Sequence, residues 1–487
     1  MFIIHLTKAS PGDSIFNMPY IHNLQITFPY SNFYDSLLYT NVTDEYIPVD
    51  INFNGEIYNQ VGIKVKGNSS FNNPSQKKSF KLDFNKFVSG QDIHGLKKLN
   101  FNNSFKDPSF MREKLTNDFL IEHNLPAPRV TYCNIYMNGQ LWGLYTLVEE
   151  IDDEFCRHWF DSNDGNLFKG DPHGTLQWKG SMNQTLYESD YELKNNSTVD
   201  DWSDLISLIN VINNTPDASL QDALEPKLKT SKFVKQWAAQ NIFVSLDSYI
   251  GPGHNYYLYH DTVTDKFQWI AWDNNESFGT FKLNLTSPLL IDLDMYFVSA
   301  PGARPLCDKM LLNAYYRNLY SMAYCKLRDD FTNAYFDPII DSLRPIIQAS
   351  VYADPKKFYS NTKFDSSFNY DILLPHEALV VFGLKNFIAA RAVAIQNSIS
   401  NNAVNCVLDI SEGDMPIDGI VLYPNPAFDK LFINTKMQVS SIMFFDSQGR
   451  LLQSFDMNGS CLDISRFSPG LFILRINDTI YRKVIIQ

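Results

Sequence analysis

The amino-acid sequence predicts an α+β protein that is followed by a small, separate all-β domain. Residues 47–87 alternate apolar and polar side chains in short runs bounded by Asn, Gly and Pro, which is typical of an antiparallel meander. Residues from about 307 to 398 have mainly helical periodicity. Residues 420–487 return to short alternating strands separated by turns, and this pattern predicts a small β-sandwich.

Other elements are predicted between the meander and the long helices. Two apolar strands, RVTYCNIYM and LWGLYTLVEE, are joined by Asn138–Gly139, which is a strong hairpin signal. The segment IDDEFCRHWF has acidic residues in its first turn, which favours a short helix because acids stabilise a helix N-terminus. Further helices are predicted at residues 109–123, 203–212 and 231–246.

The composition is that of a globular protein and argues against several functions. Of 487 residues, 41 are Lys or Arg and 54 are Asp or Glu, so the formal net charge is −13. Nonspecific nucleic-acid binding depends on Lys and Arg that neutralise phosphates, so we expect no nucleic-acid partner. No apolar run approaches the roughly 20 residues of a membrane-spanning helix. The start, MFIIHLTKAS, lacks a basic region and a small-residue cleavage site, so an export signal is not evident there.

The six cysteines are widely spaced and contain no CxxC pair. This spacing argues against a structural zinc site and against a thioredoxin-like redox motif. We expect buried free thiols, with a Cys307–Cys325 bridge as the alternative.

The stretch from Gln240 to Gly279 carries the most informative polar residues. Asp247 follows a predicted helix, Asn255 comes eight residues later after a Gly/Pro-containing loop, and Asp273 follows a predicted hairpin. This is their order in protein-kinase-like phosphotransferases, in which the Asn and the second Asp hold Mg²⁺. Taken singly, such residues are more often helix caps or turn residues than catalytic ones. Their order and spacing favour a joint site.

The preceding segments supply the other groups that such a site needs. They are Lys66, Lys78, Lys81, Glu113, Glu149 and Glu150. In kinases a strand Lys that contacts phosphate pairs with a helix Glu, and the segment after the last strand contacts adenine. A Lys-rich strand is also typical of a solvated face.

Other chemistries have less support. The sequence contains no HExxH and no GxSxG motif, so a zinc protease and a serine hydrolase lack their local signatures. Adjacent acids such as Glu149–Glu150 and Asp152–Asp153 would permit glycosidase-like chemistry, but acids in a first helical turn are more often partners of the helix dipole. His254 is interpreted as a supporting group at most.

These residues resemble the CotH kinase family, atypical secreted or spore-coat protein kinases. The matching segments are VGIKVKGNSS with KKSFKLDF, MREKLTNDFLIEHNLPAPR, YMNGQLWGLYTLVEEIDDEF, GNLFKG, HNYYLY and WIAWDNNESFG. They follow the family's order over residues 45–280. The resemblance implies an atypical protein-kinase-like two-lobed domain, with an N-lobe at 45–150 and a C-lobe at 151–400 after an N-terminal extension, 1–44.

The resemblance also implies an activity and roles for individual residues. The activity is transfer of phosphate from ATP, with Mg²⁺ or Mn²⁺, to Ser or Thr hydroxyls of a protein. Asp247 would be the catalytic residue, and Asn255 and Asp273 the metal ligands. Lys78 would be the first choice for the phosphate-contacting cation and Lys81 the second, with Glu113 as the helix partner. Glu149 or Glu150 would lie at the adenine linker.

One departure from the family pattern leaves the activity open. Family members often read WDxD where this chain reads WDNN, so Asn275 replaces a frequent second acid. The alternative is a non-catalytic surface adhesion or carbohydrate-associated protein that uses the same fold as a scaffold.

The C-terminal segment resembles the type IX secretion C-terminal sorting domain of Bacteroidetes-type bacteria. The matching segments are LYPNPAFDKLFI, SIMFFDSQGRLLQSF and SPGLFILRINDTIYRKVIIQ. The resemblance implies a sorting domain at 420–487 after a linker at 401–419, the type IX machinery as a partner, and a secreted or cell-surface location reached through the periplasm. The acidic surface then favours basic, Ser/Thr-rich protein substrates.

Overall fold

The computed structural model describes residues 10–18, 20–67, 69–374 and 379–406, and most of the C-terminal strands from residue 421 onward. The predictions for the first nine residues, for the linker beyond residue 406, for the YPNP segment beyond Tyr423 and for the SQG turn lie outside these residues. The chain divides into two compact units, Met1–Val404 and Asn405–Gln487. Helices and sheets are both present, as the predicted α+β class requires.

A closed barrel of seven strands forms the first part of the first unit. Its strands are β1 (His22–Thr27), β2 (Ile47–Phe53), β3 (Glu56–Lys66), β4 (Ser79–Asp83), β5 (Lys98–Asn102), β6 (Val130–Met137) and β7 (Gln140–Glu149). They pair in the order β1-β2-β3-β4-β5-β7-β6, and a parallel pairing of β1 with β6 closes the barrel. The helices α1 (Asp13–Phe16), α2 (Phe33–Thr43), α3 (Ser69–Asn72) and α4 (Arg112–Glu122) accompany it.

Two sequence predictions for this barrel are confirmed. The predicted meander is the antiparallel series β2, β3 and β4. The predicted hairpin is β6 and β7, and its turn residues Asn138 and Gly139 have φ of 48° and 78°, as a two-residue hairpin turn requires. β1 comes from the segment predicted as an N-terminal extension.

A second sheet and most of the helices form the rest of the first unit. The sheet order is β11-β10-β8-β9. Its strands are β8 (Leu167–Gly170), β9 (Tyr191–Leu193), β10 (Tyr256–Asp261) and β11 (Lys266–Ala271). The helices are α5 (Asp153–Phe160), α6 (Ser203–Asn214), α7 (Leu220–Leu224), α8 (Thr230–Ile242), α9 (Ser287–Ile291), α10 (Pro305–Leu312), α11 (Ala314–Asp330), α12 (Asn333–Ala353), α13 (Asn361–Ser366) and α14 (Leu384–Asn401), with a short strand pair, β12 (Ile372–Leu374) and β13 (Leu379–Val381).

Helix α8 ends earlier than the sequence predicts. Its last residue is Ile242, and Val244 adopts a left-handed conformation with φ of 48°, which is rare for a β-branched side chain. Main-chain hydrogen bonds hold this turn, because Phe278 N donates to Phe243 O at 2.8 Å and Gly279 N donates to Val244 O at 3.3 Å. The early end leaves residues up to Asp247 in a loop.

The cysteines follow the first expectation only in part. Cys133, Cys156 and Cys307 are buried free thiols, whereas Cys325 is disulfide-bonded. The alternative Cys307–Cys325 bridge was wrong. Among the described helices, none combines the length and apolar character needed to cross a membrane.

The second unit consists of two antiparallel sheets that share one core. One sheet has the order β14-β15-β18 and the other β17-β16-β19-β20. The strands are β14 (Val421–Tyr423), β15 (Lys430–Asn434), β16 (Ile442–Asp446), β17 (Leu451–Phe455), β18 (Cys461–Asp463), β19 (Gly470–Ile476) and β20 (Ile480–Ile486). Buried Leu431, Leu462, Phe444 and Leu474 contribute to the core from both sheets.

A fully buried ion pair ties the barrel to the segment after α12. Lys77 Nζ lies 2.5 Å from Asp354 Oδ2, and both side chains are fully buried. The same carboxylate oxygen accepts a hydrogen bond from Leu144 N at 3.1 Å. A Cβ at Gly143 would lie 2.5 Å from this carboxylate, so the position requires glycine.

We expect Lys77→Met to lower the free energy of unfolding by about 3–5 kcal/mol, since removing one partner leaves the other charge buried and uncompensated. Lys64→Met is the matched control. Lys64 forms an ion pair of the same length with Asp44, whose side chain is 86% exposed. Lys64→Met should lower the free energy of unfolding by less than about 1 kcal/mol. Chemical denaturation measures both values, and equal losses would contradict the assignment.

Candidate active site

The candidate site forms where the β10–β11 hairpin meets the loop after α8. The two strands pair with Tyr256 opposite Ala271. The pairing continues for one more residue, because Trp272 N donates to Asn255 O at 3.2 Å. Asp273 follows directly, so the antiparallel register brings Asn255 and Asp273 to the same end of the sheet.

The backbone bends sharply at both of these residues. Asn255 and Asp273 each have φ of 58°, in the left-handed region. Asn and Asp adopt this conformation more readily than most non-glycine residues do. The residue types that suit a metal site therefore also suit the bends that end the two strands.

Asp247 is hydrogen-bonded to residues at the other end of its loop. His254 Nε2 lies 2.7 Å from Asp247 Oδ1. Asn255 Nδ2 donates to the main-chain oxygen of Asp247 at 2.9 Å. The side chain of Asp247 is 19% exposed, so it remains accessible while its position is fixed.

A buried arginine, Arg304, donates hydrogen bonds to main-chain oxygens of this loop. Arg304 Nε donates to Tyr249 O at 2.7 Å, and its Nη2 donates to Gly251 O. Gly251 itself allows no side chain, because a Cβ there would lie 1.7 Å from Leu246 O. The sequence gives no signal for Arg304, since its partners are main-chain carbonyls remote in sequence.

Lys66 is the strand lysine that faces the hairpin. Its Nζ donates to Asn100 Oδ1 at 3.0 Å and lies 5.2 Å from the ring centroid of Trp272. Burial lowers the pKa of Lys66, the charge of Lys81 acts in the same direction, and the charge of Asp273 opposes both. The ammonium group is therefore within electrostatic reach of Asp273.

Glu113, on α4, lies in the same group of charges. Asn102 Nδ2 donates to its two carboxylate oxygens at 2.9 and 3.1 Å. Burial raises the pKa of Glu113, the charge of Asp273 raises it further, and Lys66 opposes the shift. The charge of the helix glutamate predicted from the sequence therefore interacts with the charges of Lys66 and Asp273.

Comparison with known proteins decides the family of this chain. A family model described as CotH kinase protein matches residues 63–392, which is more than half of the chain. The chain belongs to the CotH kinase family. The chain also carries a secretion system C-terminal sorting domain, matched at residues 421–487, and this domain points to secretion or the cell surface. Both resemblances predicted from the sequence are confirmed.

One curated relative of this chain is the inner spore coat protein H of Bacillus subtilis (strain 168). The two are 26% identical over 294 residues, which cover 60% of this chain and 78% of the relative.

Lys78 does not reach Glu113. Its Nζ donates to Phe71 O at 2.7 Å and also to Asn73 O, so it supports the loop between β3 and β4. The side chain turns back because Lys78 immediately precedes the first residue of β4, next to that loop. Pairing with Glu113, expected from the sequence, was wrong for Lys78.

Lys81 is paired with the residue after β7. Its Nζ lies 2.5 Å from Glu150 Oε1, and Asn100 Nδ2 donates to Glu150 Oε2 at 2.6 Å. Burial alone would raise the pKa of Glu150, but Lys81 and the amide of Asn100 outweigh it and lower the pKa to about 2. Asn100, which the sequence analysis did not single out, thus contacts Lys66 and Glu150 together.

Glu149 points away from this network. Arg129 donates to it from Nε at 3.0 Å and from Nη2 at 2.5 Å, and Glu149 is 1% exposed. Successive residues of a strand project to opposite faces, so Glu149 and Glu150 are directed to opposite sides. Glu149 therefore has a structural ion pair on the far side of the strand.

The oxygen atoms of Asn255 and Asp273 suit a hard cation whose remaining ligands are water and phosphate. Among the described residues, no three His, Cys, Asp or Glu side chains are grouped to hold a metal ion. Asp273 and Asn255 supply two oxygens, and the hydrogen bond from Asn255 Nδ2 directs its amide oxygen away from the loop. Mg²⁺ is commonly held by one or two protein oxygens with water and phosphate, so these residues fit it.

Lys169 is a further charged residue near Asp273. Lys169, in the GNLFKG segment, lies opposite Tyr257 on the neighbouring strand, and its charge acts on Asp273. Its Nζ is 2.5 Å from Asp171 Oδ2.

A cavity of about 390 Å³, lined by Trp159, Lys229 and other residues, contains none of the candidate site residues.

Asn275 and Glu276 follow Asp273 on a short 3₁₀ turn. Asn275, the departure from the family pattern, is partly exposed there. Glu276 is 5% exposed and contacts Lys106 Nζ at 2.9 Å. Burial raises the pKa of Glu276 to about 7 although Lys106 opposes the shift, and the charge of Asp247 adds to it.

The folded protein therefore holds the Glu276 proton to a higher pH than the unfolded chain. We expect protonated Glu276 to contribute up to about 3 kcal/mol to the free energy of unfolding. This contribution is complete below pH 4.5 and is lost as the pH rises to about 7. Glu276→Gln should remove this part of the pH dependence. Denaturation at pH 5 to 8 measures it, and Glu192→Gln, at an exposed carboxylate paired with Lys194, controls for lost charge. Parallel profiles for wild type and Glu276→Gln would contradict the expectation.

Proposed function

We propose that this CotH protein is a secreted or cell-surface kinase that transfers the γ-phosphate of ATP to Ser or Thr hydroxyls of a protein. The observation that carries the proposal is the convergence of Asp247, Asn255 and Asp273 at one end of the β10–β11 hairpin, with Lys66 facing them. We further propose the two-lobed assignment: the barrel region, 45–150, as the N-lobe and residues 151–400 as the C-lobe.

The reaction assigns one role to each group. The substrate hydroxyl oxygen forms a bond to the γ-phosphorus, the bond from that phosphorus to the bridging oxygen of ADP breaks, and Asp247 accepts the hydroxyl proton. Asn255 and Asp273 would hold Mg²⁺ or Mn²⁺. When bound, the ion supplies charge neutralisation at the phosphates. Positioning and electrostatics then provide most of the rate enhancement.

The contacts favour Lys66 as the lysine that binds phosphate. Lys78 is bound to loop carbonyls, and Lys81 is paired with Glu150. Lys66 instead has a neutral amide as its hydrogen-bond partner and faces the charges of Asp273 and Glu113. Adenine would contact the chain beside Glu150, at the end of the last barrel strand.

The partners are proposed on charge and on the sorting domain. The net charge of −13 favours a basic, Ser/Thr-rich protein substrate. The C-terminal domain would be recognised by the type IX secretion machinery after the protein reaches the periplasm.

Replacing either acidic residue should abolish most phosphate transfer. We expect Asp247→Asn and Asp273→Asn each to lower the rate at least about 100-fold, since one loses the proton acceptor and the other a metal ligand. The assay is ³²P incorporation from Mg²⁺-ATP into a basic Ser-rich protein. Asp265→Asn, at an 83% exposed carboxylate of the same hairpin, is the control. Unchanged transfer by both site variants would overturn the assignment.

The two lysine assignments make opposite predictions for ATP binding. Lys66→Met should weaken ATP binding about tenfold or more, because it removes a charge-assisted contact worth about 1.5–3 kcal/mol. Lys78→Met should leave it nearly unchanged. Melting temperatures measured over a range of Mg²⁺-ATP concentrations report both, since a ligand of the native state raises the melting temperature. A larger loss for Lys78→Met would reverse the choice.

The non-catalytic alternative is favoured by Asn275, which leaves the site one acid short of the family pattern. A scaffold that has lost nucleotide binding should show no rise in melting temperature at millimolar Mg²⁺-ATP. That result, together with no ³²P transfer by the wild-type protein, would favour adhesion over catalysis.

A further inference from the structure

His254 occupies one of the two oxygens of the Asp247 carboxylate. The contact joins His254 Nε2 and Asp247 Oδ1 at 2.7 Å, and the two side chains are 25% and 19% exposed. Within the described part of the chain, Asp247 Oδ2 accepts no hydrogen bond. One carboxylate oxygen is therefore held by the protein, and the other is left for another donor.

The residues on both sides of His254 have left-handed backbone conformations. Gly253 has φ of 90°, and a Cβ there would lie 3.0 Å from Thr175 and 3.1 Å from Arg304. On its other side, Asn255 has φ of 58° and is hydrogen-bonded to Asp247 O. The main chain that carries the imidazole is thus tightly bent on both sides.

We propose that His254 is the positioning residue of Asp247. Its Nε2–H donates to Oδ1 and fixes the plane of the carboxylate, so that Oδ2 faces the hydroxyl that is to be deprotonated. This inference rests on the proposed function, in which Asp247 accepts that proton. Asp247 precedes a loop without regular structure, and a carboxylate without this hydrogen bond rotates among several orientations. A displacement of about 1 Å at such a group can cost about 100-fold in rate.

Another histidine that contacts aspartate side chains serves as a matched control. His260, on the same hairpin, lies 2.9 Å from Asp204 and 3.1 Å from Asp265, and its side chain is 24% exposed. It is comparable to His254 in exposure and in partner type, and none of the proposed catalytic or metal-binding residues contacts it. Its replacement measures what loss of a His–Asp contact does to stability alone.

The experiment compares three kinds of variant in the ³²P transfer assay. His254→Leu and His254→Phe remove the donor, and two shapes are used so that a folding failure of one leaves the other. His254→Gln retains an N–H donor near the place of Nε2. His260→Leu is the control. For each, kcat, the KM for ATP and the melting temperature are measured.

We expect the variants without a donor to lose about 10- to 100-fold in kcat, with KM for ATP within about twofold of wild type. His254→Gln should recover most of the lost kcat, and His260→Leu should keep wild-type kcat. Wild-type kcat in a folded His254→Leu or His254→Phe protein would overturn the inference. So would a loss in His254→Gln as large as in those variants, because a retained donor would then have no effect. If wild type itself transfers no phosphate, the proposed function fails, and this inference fails with it.

Discussion

The antiparallel register of β10 and β11 is the constraint on which the candidate site depends. It places Asn255 opposite Trp272 and so sets where Asp273 begins its loop. Asn255 in turn holds the main chain of Asp247. A shift of one residue in this pairing would turn every side chain of the hairpin to the other face of the sheet. Three polar groups from two loops therefore depend on one set of strand hydrogen bonds.

The barrel contributes to the same region through a buried polar network rather than through isolated charges. Asn100 contacts both Lys66 and Glu150, and Glu150 is paired with Lys81. Hydrogen bonds of this kind are strong in a low-dielectric environment, but an unmatched member is costly. The lysine proposed to contact phosphate and the residue beside the proposed adenine site are thus linked by one amide.

Local patterns predicted the elements that depend on neighbouring residues. The Asn138–Gly139 hairpin, the β2–β4 meander and the order of Asp247, Asn255 and Asp273 were all readable from the sequence. Features set by distant contacts were not. Val244 takes a conformation that its side chain disfavours, because two main-chain hydrogen bonds from Phe278 and Gly279 impose it.

The sequence could not distinguish the roles of the three lysines for the same reason. Lys66, Lys78 and Lys81 lie in neighbouring positions of one meander, and only the partners of each distinguish them. Those partners, such as Asn100 and Glu150, come from strands and loops that the local pattern does not connect with the lysines. Arg304 likewise acts on carbonyl groups, which every residue carries, so no residue type marks its partners.

The Lys77–Asp354 pair has a consequence for the order in which the chain folds. Its two members are separated by 277 residues, and both are fully buried. A nascent chain that has not yet reached Asp354 has no counter-charge for Lys77, so closing the barrel around it would bury an unpaired ammonium group. Contacts of such long range also slow folding, because the chain entropy of closing the loop is lost before the contact forms. The barrel therefore gains the counter-charge of Lys77 only after the chain has been synthesised beyond Asp354.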